Sequence, residues 1–271
     1  MLEIIAAPLA ACLIIAGIHC YLGIHVLMRE VIFVDLALAQ IAAMGVAVAL
    51  IAGLASGSME AYLVSLAFTF GGAAVFAALR FGDRWIPQEA FIGIVYAVGS
   101  ALTVLLLSQS AVEREQIEHM LVGRLLFVDW QEVGVTLAIY AAVSLLYLAL
   151  GSRFFEISAA HASGRGEATR LLDFVFYASF GVVVTTSVKI VGVLLVFSFL
   201  IVPAACAMLF FAGARARLLA GWAFGGVGSG AGIAASALWD LPTGAAVVAA
   251  LGLVFALCGG AALIVRVAAE R

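Results

Sequence analysis

Long apolar runs interrupted by few charged residues constrain this chain more than any other feature. There are nine of them, at 4–28, 36–59, 61–79, 90–112, 133–152, 174–188, 190–214, 218–239 and 241–265. A helix needs about 20 apolar residues to cross the hydrocarbon core of a bilayer, whereas barrel strands would alternate apolar and polar residues over about ten positions. The runs therefore predict an all-α, polytopic helical membrane protein with about nine transmembrane helices.

The composition excludes several other classes of protein. Hydrophobic residues make up 66% of the 271 residues and charged residues only 11%, against about 25% charged in an average soluble domain. A net charge of −3 offers no basic surface for nucleic acid. No segment is long enough for a second soluble domain. We therefore expect residues 1–271 to form a single transmembrane domain whose surroundings are the lipid bilayer.

The distribution of basic residues predicts the orientation. With nine crossings, ten of the 13 basic residues fall on one side, and the positive-inside rule makes that side the cytoplasm. If 174–188 did not cross, the split would be only seven against six. The N-terminus is thus expected outside and the C-terminus in the cytoplasm. The ten residues are Arg29, Arg80, Arg84, Arg153, Arg165, Arg170, Arg215, Arg217, Arg266 and Arg271.

Catalytic signatures are missing from the sequence. A P-loop needs Gly-Lys followed by Ser or Thr, but Lys189 is the only lysine and it follows Val188. Neither H-E-x-x-H nor G-x-S-x-G occurs, and the four cysteines have no C-x-x-C spacing. We therefore expect no enzyme activity and no resident cofactor.

Polar residues at membrane depth are costly and point to function. His19 lies inside the first run, and Asp35 and Gln40 lie near the start of the second. On an unbroken helix Asp35 and Gln40 are about 140° apart, too far round to hold one ion by themselves. Each could line a substrate pathway together with another helix. The structural alternatives are hydrogen bonds between helices for His19 and Gln40 and a helix N-cap for Asp35. Glu89 suits the positive end of a helix dipole.

The eighth run is rich in glycine and contains three G-x-x-x-G spacings. Small residues of this kind let helices in membranes approach closely. We predict close helix packing at these positions, within the chain or between two copies. The residues are Gly221, Gly225, Gly226, Gly228, Gly230 and Gly232.

Four segments together resemble one family of transporters, the permease subunits of zinc, manganese and iron ABC importers. They occur in the same order as in that family and extend over nearly the whole chain. They are VIFVDLALAQIAAMG (31–45), AFIGIVYA (90–97), LVGRLLFVDWQEV (121–133) and VGVLLVFSFLIVPAACA (191–207).

The resemblance implies the function and the partners. The chain would be the permease of a divalent-metal importer in a bacterial-type plasma (inner) membrane, working as a homodimer by alternating access. Its partners would be a cytoplasmic ATP-binding cassette ATPase, which hydrolyses ATP, and an extracytoplasmic metal-binding protein. The metal ion would be transported cargo.

The resemblance also places an ATPase-coupling segment in the longest predicted cytoplasmic loop, 153–170. The alternative is an ordinary amphipathic helix at the membrane surface. The coupling residues would be Phe154, Phe155, Glu156, Ile157 and Ala160.

The sequence departs from the family pattern in two places. Many members carry Asp and His four residues apart on the second helix, whereas here Gln40 stands at the histidine position and Asp35 is one residue out of register. The coupling segment lacks the family's Asp-Pro. The metal ligands are therefore unassigned, and the cargo could instead be a metal chelate or another small solute. The sequence also leaves open an ion-coupled secondary transporter and a non-transporting membrane scaffold.

Overall fold

The computed structural model describes residues 2–55, 57–78, 87–108, 123–162 and 170–269. Throughout these ranges the regular structure is helical, with a short 3-10 turn at Leu125–Phe127 and no strand. Each of the eight α-helices contains an apolar stretch long enough to cross a membrane, which confirms the predicted all-α polytopic fold. The helices are α1 (Leu2–Arg29), α2 (Val34–Ile51), α3 (Met59–Ala78), α4 (Gln88–Leu107), α5 (Trp130–Ala162), α6 (Arg170–Phe210), α7 (Ala214–Trp239) and α8 (Thr243–Ala269).

The longest helix, α6, combines the sixth and seventh predicted spans. An unbroken helix of its 41 residues would be about 60 Å long, roughly twice the hydrocarbon core. It is interrupted at Gly192, whose backbone is non-helical with φ 77° and ψ 163°. The predicted boundary at Lys189 is therefore three residues too early, because an exposed lysine can continue a helix whereas this glycine conformation cannot.

Two other helix ends differ from the predicted boundaries. The second helix ends at Ile51 rather than near residue 59, since Gly53 adopts a positive φ of 83° soon after it. The fifth helix continues to Ala162, so residues 153–162 extend a transmembrane helix and do not form a loop. The prediction of a loop at 153–170 is therefore wrong for residues 153–162.

The chain divides into two compact units, each assembled from separated stretches. The first unit contains Met1–Leu27, Val122–Ala141 and Ile190–Arg271, and the second contains Met28–Leu121 and Ala142–Lys189. Each unit combines segments that are distant in the sequence, so neither corresponds to a separate stretch of chain. That residues 1–271 form one membrane domain stays a prediction.

In the first unit, two glycine pairs of α7 pack against different helices. A Cβ on Gly221 would collide with Cys20 Sγ, and one on Gly225 would lie 3.2 Å from the Cβ of Ala16, both on α1. In the second pair, a Cβ on Gly228 would collide with Leu251 of α8, and one on Gly232 would collide with Val247 of the same helix. Gly226 is only in ordinary contact with Leu13, and Gly230 has nothing within 4 Å. Two of the three predicted spacings thus lie at close helix contacts within the chain, and the 226/230 spacing does not.

Close packing also organises the second unit, in which α2 contacts both α3 and α4. A Cβ on Gly45 would lie 2.8 Å from the Cα of Ser65 on α3. One on Gly99 of α4 would lie 3.3 Å from the Cβ of Gln40. This packing fixes the position of α2, on which two of the predicted pathway residues stand.

Candidate functional site

Asp35 and Glu89 bring two carboxylates together in the second unit. Glu89 Oε1, at the start of α4, accepts a hydrogen bond of 3.0 Å from the backbone N–H of Phe33, the residue that precedes α2. Asp35 stands in the first turn of α2 and is only 1% exposed. The Asp35 and Glu89 carboxylates are close enough to interact electrostatically. Glu89 therefore caps α2 from a neighbouring helix and places a second carboxyl group near Asp35.

Several polar atoms of this region are buried without a hydrogen-bond partner. They include both carboxylate oxygens of Asp35 and Oε2 of Glu89. The backbone amides of Asp35 and Leu36 lie near the Asp35 carboxylate, but not in hydrogen-bonding geometry. The neighbouring Gln88 also has both polar side-chain atoms buried and unpartnered. Such atoms are rare in folded proteins, and each of them calls for an explanation.

The other two predicted pathway residues lie elsewhere. Gln40 is half-buried beside Gly99 of α4, one and a half turns along α2 from Asp35. His19 belongs to the first unit, where it is fully buried. Its Nδ1 lies 2.8 Å from the backbone carbonyl of Ile15 on the same helix, and its ring lies edge-on to Tyr140 at 6.4 Å. These contacts are those of a packed histidine. They leave its predicted role in the pathway untested.

A buried ion pair joins three helices at another point of the second unit. Arg29 Nη1 at the end of α1 lies 3.0 Å from Asp173 Oδ1 in the first turn of α6. Its Nε donates a 2.9 Å hydrogen bond to Ser158 Oγ on α5. The guanidinium also lies 4.0 Å from the ring centroid of Phe176. One arginine thus connects the predicted coupling segment to the start of α6.

The predicted coupling residues occupy two faces of α5. Phe154 is fully buried and packs against the rings of Tyr147 and Phe176, at centroid distances of 5.1 and 6.2 Å. Phe155 and Ile157 are half-buried, and Glu156 is exposed. The side chain of Ala160 lies outside the described residues. Phe154 is therefore a core residue, which leaves Phe155, Glu156 and Ile157 as the accessible members of the predicted set.

The sequence analysis did not predict a row of hydroxyl groups that lies between α3 and α6. Thr69 and Thr185 have their Oγ1 atoms 3.2 Å apart, and the Tyr62 hydroxyl lies 3.1 Å from Thr186 Oγ1. Thr185 and Thr186 sit inside an apolar run, where the Thr-Thr-Ser sequence of 185–187 was the available signal. The row adds neutral oxygen atoms to the interior of the second unit.

The described side chains contain no ready-made cluster of metal ligands. Among residues 2–55, 57–78, 87–108, 123–162 and 170–269, no group of three or more His, Cys, Asp or Glu side chains could hold one ion together. The carboxyl and hydroxyl groups described above in the second unit present oxygen atoms, which suit magnesium, calcium or manganese better than zinc.

Comparison with known proteins places the chain among transporters. A manganese transport system membrane protein, MntC of Halalkalibacterium halodurans, is 26% identical over 211 residues, covering 74% of this chain and 72% of MntC. The manganese import system permease protein ScaB of Streptococcus gordonii is 26% identical over 194 residues, covering 70% of this chain and 69% of ScaB.

Among solved structures, PsaBC from Streptococcus pneumoniae, in complex with Fab, has a similar fold. The TM-score is 0.77 at 21% identity, and the match covers 94% of this chain and 90% of that one. The sequence pattern of one protein family, the ABC 3 transport family, matches residues 1–259 of this chain. Together with the eight apolar helices, this match identifies the chain as a multi-pass membrane permease that belongs to the ABC 3 transport family.

Proposed function

We propose that this permease imports a divalent metal ion, with manganese as its principal cargo. The observation that carries the proposal is the family match over residues 1–259, joined to relatives whose names specify manganese transport. The oxygen-rich interior of the second unit supports the same choice, because carboxylates and hydroxyls are the ligands that manganese prefers.

We further propose that the chain forms a homodimer and that its partners supply the remaining activities. A separate cytoplasmic ATPase hydrolyses ATP, and an extracytoplasmic metal-binding protein delivers the ion. This division agrees with the lack of a P-loop lysine motif in the sequence. The metal passes through as cargo, in a bacterial-type plasma membrane with the N-terminus outside. The accessible face of Phe155, Glu156 and Ile157 on α5 contacts the ATPase.

Cellular metal content tests the cargo. Deleting the gene should lower cellular manganese several-fold in manganese-poor medium, and re-expression of the chain should restore it. Unchanged manganese, zinc and iron would contradict metal import, and a selective loss of an added metal chelate would instead favour a chelate as the cargo.

Reconstitution tests the energy source. Vesicles that contain the permease, with the ATPase and ATP in the lumen and the metal-binding protein outside, should accumulate manganese. The same vesicles without ATP should not. Accumulation driven by a proton or sodium gradient, with no ATPase present, would favour a secondary transporter.

A further inference from the structure

The predicted coupling segment of α5 has a buried face as well as an accessible one. Phe154 and Ser158 are both fully buried, and residues four apart lie on the same face of a helix. Glu156, halfway between them, is exposed. The segment therefore presents one face to the surroundings, where we propose that the ATPase binds, and turns the opposite face to the interior of the second unit.

Arg29 is the centre of the contacts made by the buried face. Its Nε donates a 2.9 Å hydrogen bond to Ser158 Oγ, and its Nη1 lies 3.0 Å from Asp173 Oδ1 at the start of α6. Its guanidinium lies 4.0 Å from the ring centroid of Phe176, and that ring packs against Phe154 at 6.2 Å. The coupling segment is thus joined to α6 by a polar and an aromatic connection, and Arg29 contacts both.

Arg29 also stands next to the start of α2. The helix α1 ends at Arg29, and α2 begins five residues later at Val34. The connection is a compact turn, in which Glu30 has a left-handed φ of 55° and the Val34 N–H donates a 3.2 Å hydrogen bond to the Val31 carbonyl. With so few residues between the helices, a displacement of Arg29 reaches α2, which contains two of the predicted pathway residues.

We propose that Arg29 is a positioning residue for transport, which transmits movement of the coupling segment to the starts of α6 and α2. The proposal rests on the proposed import function, because the ATPase supplies the movement. When the ATPase displaces the accessible face of α5, Ser158 on the opposite face moves with it. Arg29 follows because it is bonded to Ser158, and Asp173 follows because it is paired with Arg29.

The guanidinium group suits this connecting role better than an ammonium group would. Its nitrogen atoms point in fixed, different directions, and its flat face stacks on an aromatic ring. The remaining nitrogen, Nη2, is buried and has no hydrogen-bond partner among the described residues. Because an unsatisfied buried donor is costly, Nη2 provides a bond that can form when α5 and α6 shift, so that Arg29 stays attached to both helices.

The ratio of manganese taken up to ATP hydrolysed tests the proposal, measured on purified complexes in the vesicles described above. Ser158→Ala removes the acceptor of the Arg29 Nε bond, and Arg29→Lys keeps the charge opposite Asp173 but loses the planar group. Each should lower the ratio by about threefold or more. The double variant should be no worse than Arg29→Lys alone, because both changes break the same connection.

Tyr147→Phe is the matched control. The Tyr147 hydroxyl lies 2.8 Å from Ser179 Oγ, so this substitution also removes one buried hydroxyl contact between α5 and α6. It does so about three helical turns before Ser158. Tyr147→Phe should leave the ratio of uptake to hydrolysis unchanged, whereas a purely stabilising role for the α5–α6 contacts would make it behave like Ser158→Ala.

Stimulation of ATP hydrolysis by the metal-binding protein gives a second readout that requires no accumulated manganese. The signal passes through the permease in the opposite direction, from the binding protein to the ATPase. Arg29→Lys and Ser158→Ala should reduce the stimulation by about threefold or more, and Tyr147→Phe should retain it. If Arg29→Lys does not assemble with the ATPase, Ser158→Ala still decides, because it removes only one hydroxyl group.

Either of two results would overturn the proposal: wild-type ratio and stimulation in both Arg29→Lys and Ser158→Ala, or equal losses in Ser158→Ala and Tyr147→Phe. The import function can fail separately. A wild-type complex that is stimulated by the binding protein but accumulates no manganese would reject manganese import, and the loss of stimulation in the variants would still support the role of Arg29. Manganese uptake at the wild-type ratio in every variant would retain import and reject that role.

Discussion

Arg29 and Asp173 form an ion pair of 3.0 Å whose two side chains are each only 2% exposed. The partners are 144 residues apart in the sequence, at the end of α1 and the start of α6. The same guanidinium bonds Ser158 and lies over Phe176. A charge buried this deeply depends on its partner far more than a surface charge does.

Asp173→Asn should therefore destabilise the permease strongly. The substitution leaves the Arg29 guanidinium buried without its counter-charge, and breaking a buried pair from one side costs about 3–5 kcal/mol. Thermal unfolding of the purified chain in micelles measures the loss. Glu132→Gln is the control, because it breaks the exposed Arg124–Glu132 pair, whose side chains are 45% and 29% exposed, and should cost about 0–1 kcal/mol. Equal losses in the two variants would contradict the structural role given to Arg29.

Two neighbouring glycines of α7 should respond differently to the same substitution. A Cβ on Gly232 would meet the backbone of Val247 on α8, whereas one on Gly230 would meet nothing within 4 Å. Gly232→Ala should therefore force the helices apart and cost on the order of 1–3 kcal/mol. Gly230→Ala should be neutral or slightly stabilising, since alanine favours the helix. Thermal unfolding of both variants checks the difference, and a neutral Gly232→Ala would show that the contact is looser than described.

The sequence predicts the helices of this chain well because a membrane-spanning backbone must satisfy its hydrogen bonds internally. Apolar runs at 61–79 and 218–239 correspond closely to the helices Met59–Ala78 and Ala214–Trp239, since lipid leaves the backbone few alternatives to a helix. Helix boundaries that depend on the backbone conformation of a single residue are harder to predict. The break in α6 falls at Gly192, which resembles any other glycine in an apolar run, and the prediction instead followed the charge of Lys189.

The candidate site depends on contacts between distant residues, which periodicity does not reveal. Asp35 was singled out from its position near the start of the second run, but its relation to Glu89 requires α2 and α4 to be adjacent. Taken by itself, Glu89 is typical of the acidic residues that occur at the start of a helix. Similarly, Phe154 and Phe155 are indistinguishable by type, and only the packing of α5 shows that the first is buried and the second accessible.

Gly192 should tolerate no other residue without strain. Its φ of 77° and ψ of 163° belong to a region that is essentially restricted to glycine, and other residues pay about 1–3 kcal/mol there. The backbone of this break is also closely approached by Gly123, because a Cβ on Gly123 would collide with the Val191–Gly192 backbone. Gly192→Ala should lower the unfolding temperature, while Gly252→Ala, in a helix with nothing within 4 Å, should not. An unchanged unfolding temperature for Gly192→Ala would mean that α6 can run through this position unbroken.

Adjacent phenylalanines on α5 offer a last, matched comparison. Phe154 is fully buried against Tyr147 and Phe176, so Phe154→Ala should cost about 3–5 kcal/mol of stability. Phe155 is half-buried and belongs to the face proposed to contact the ATPase. Phe155→Asp should leave the unfolding temperature of the isolated permease nearly unchanged while reducing ATP-driven manganese uptake at least tenfold, because a charge would be placed in an apolar contact. Unfolding of the purified variants and uptake by vesicles containing the ATPase separate the two effects. Normal uptake by Phe155→Asp would exclude Phe155 from the coupling surface, regardless of how Phe154→Ala affects stability.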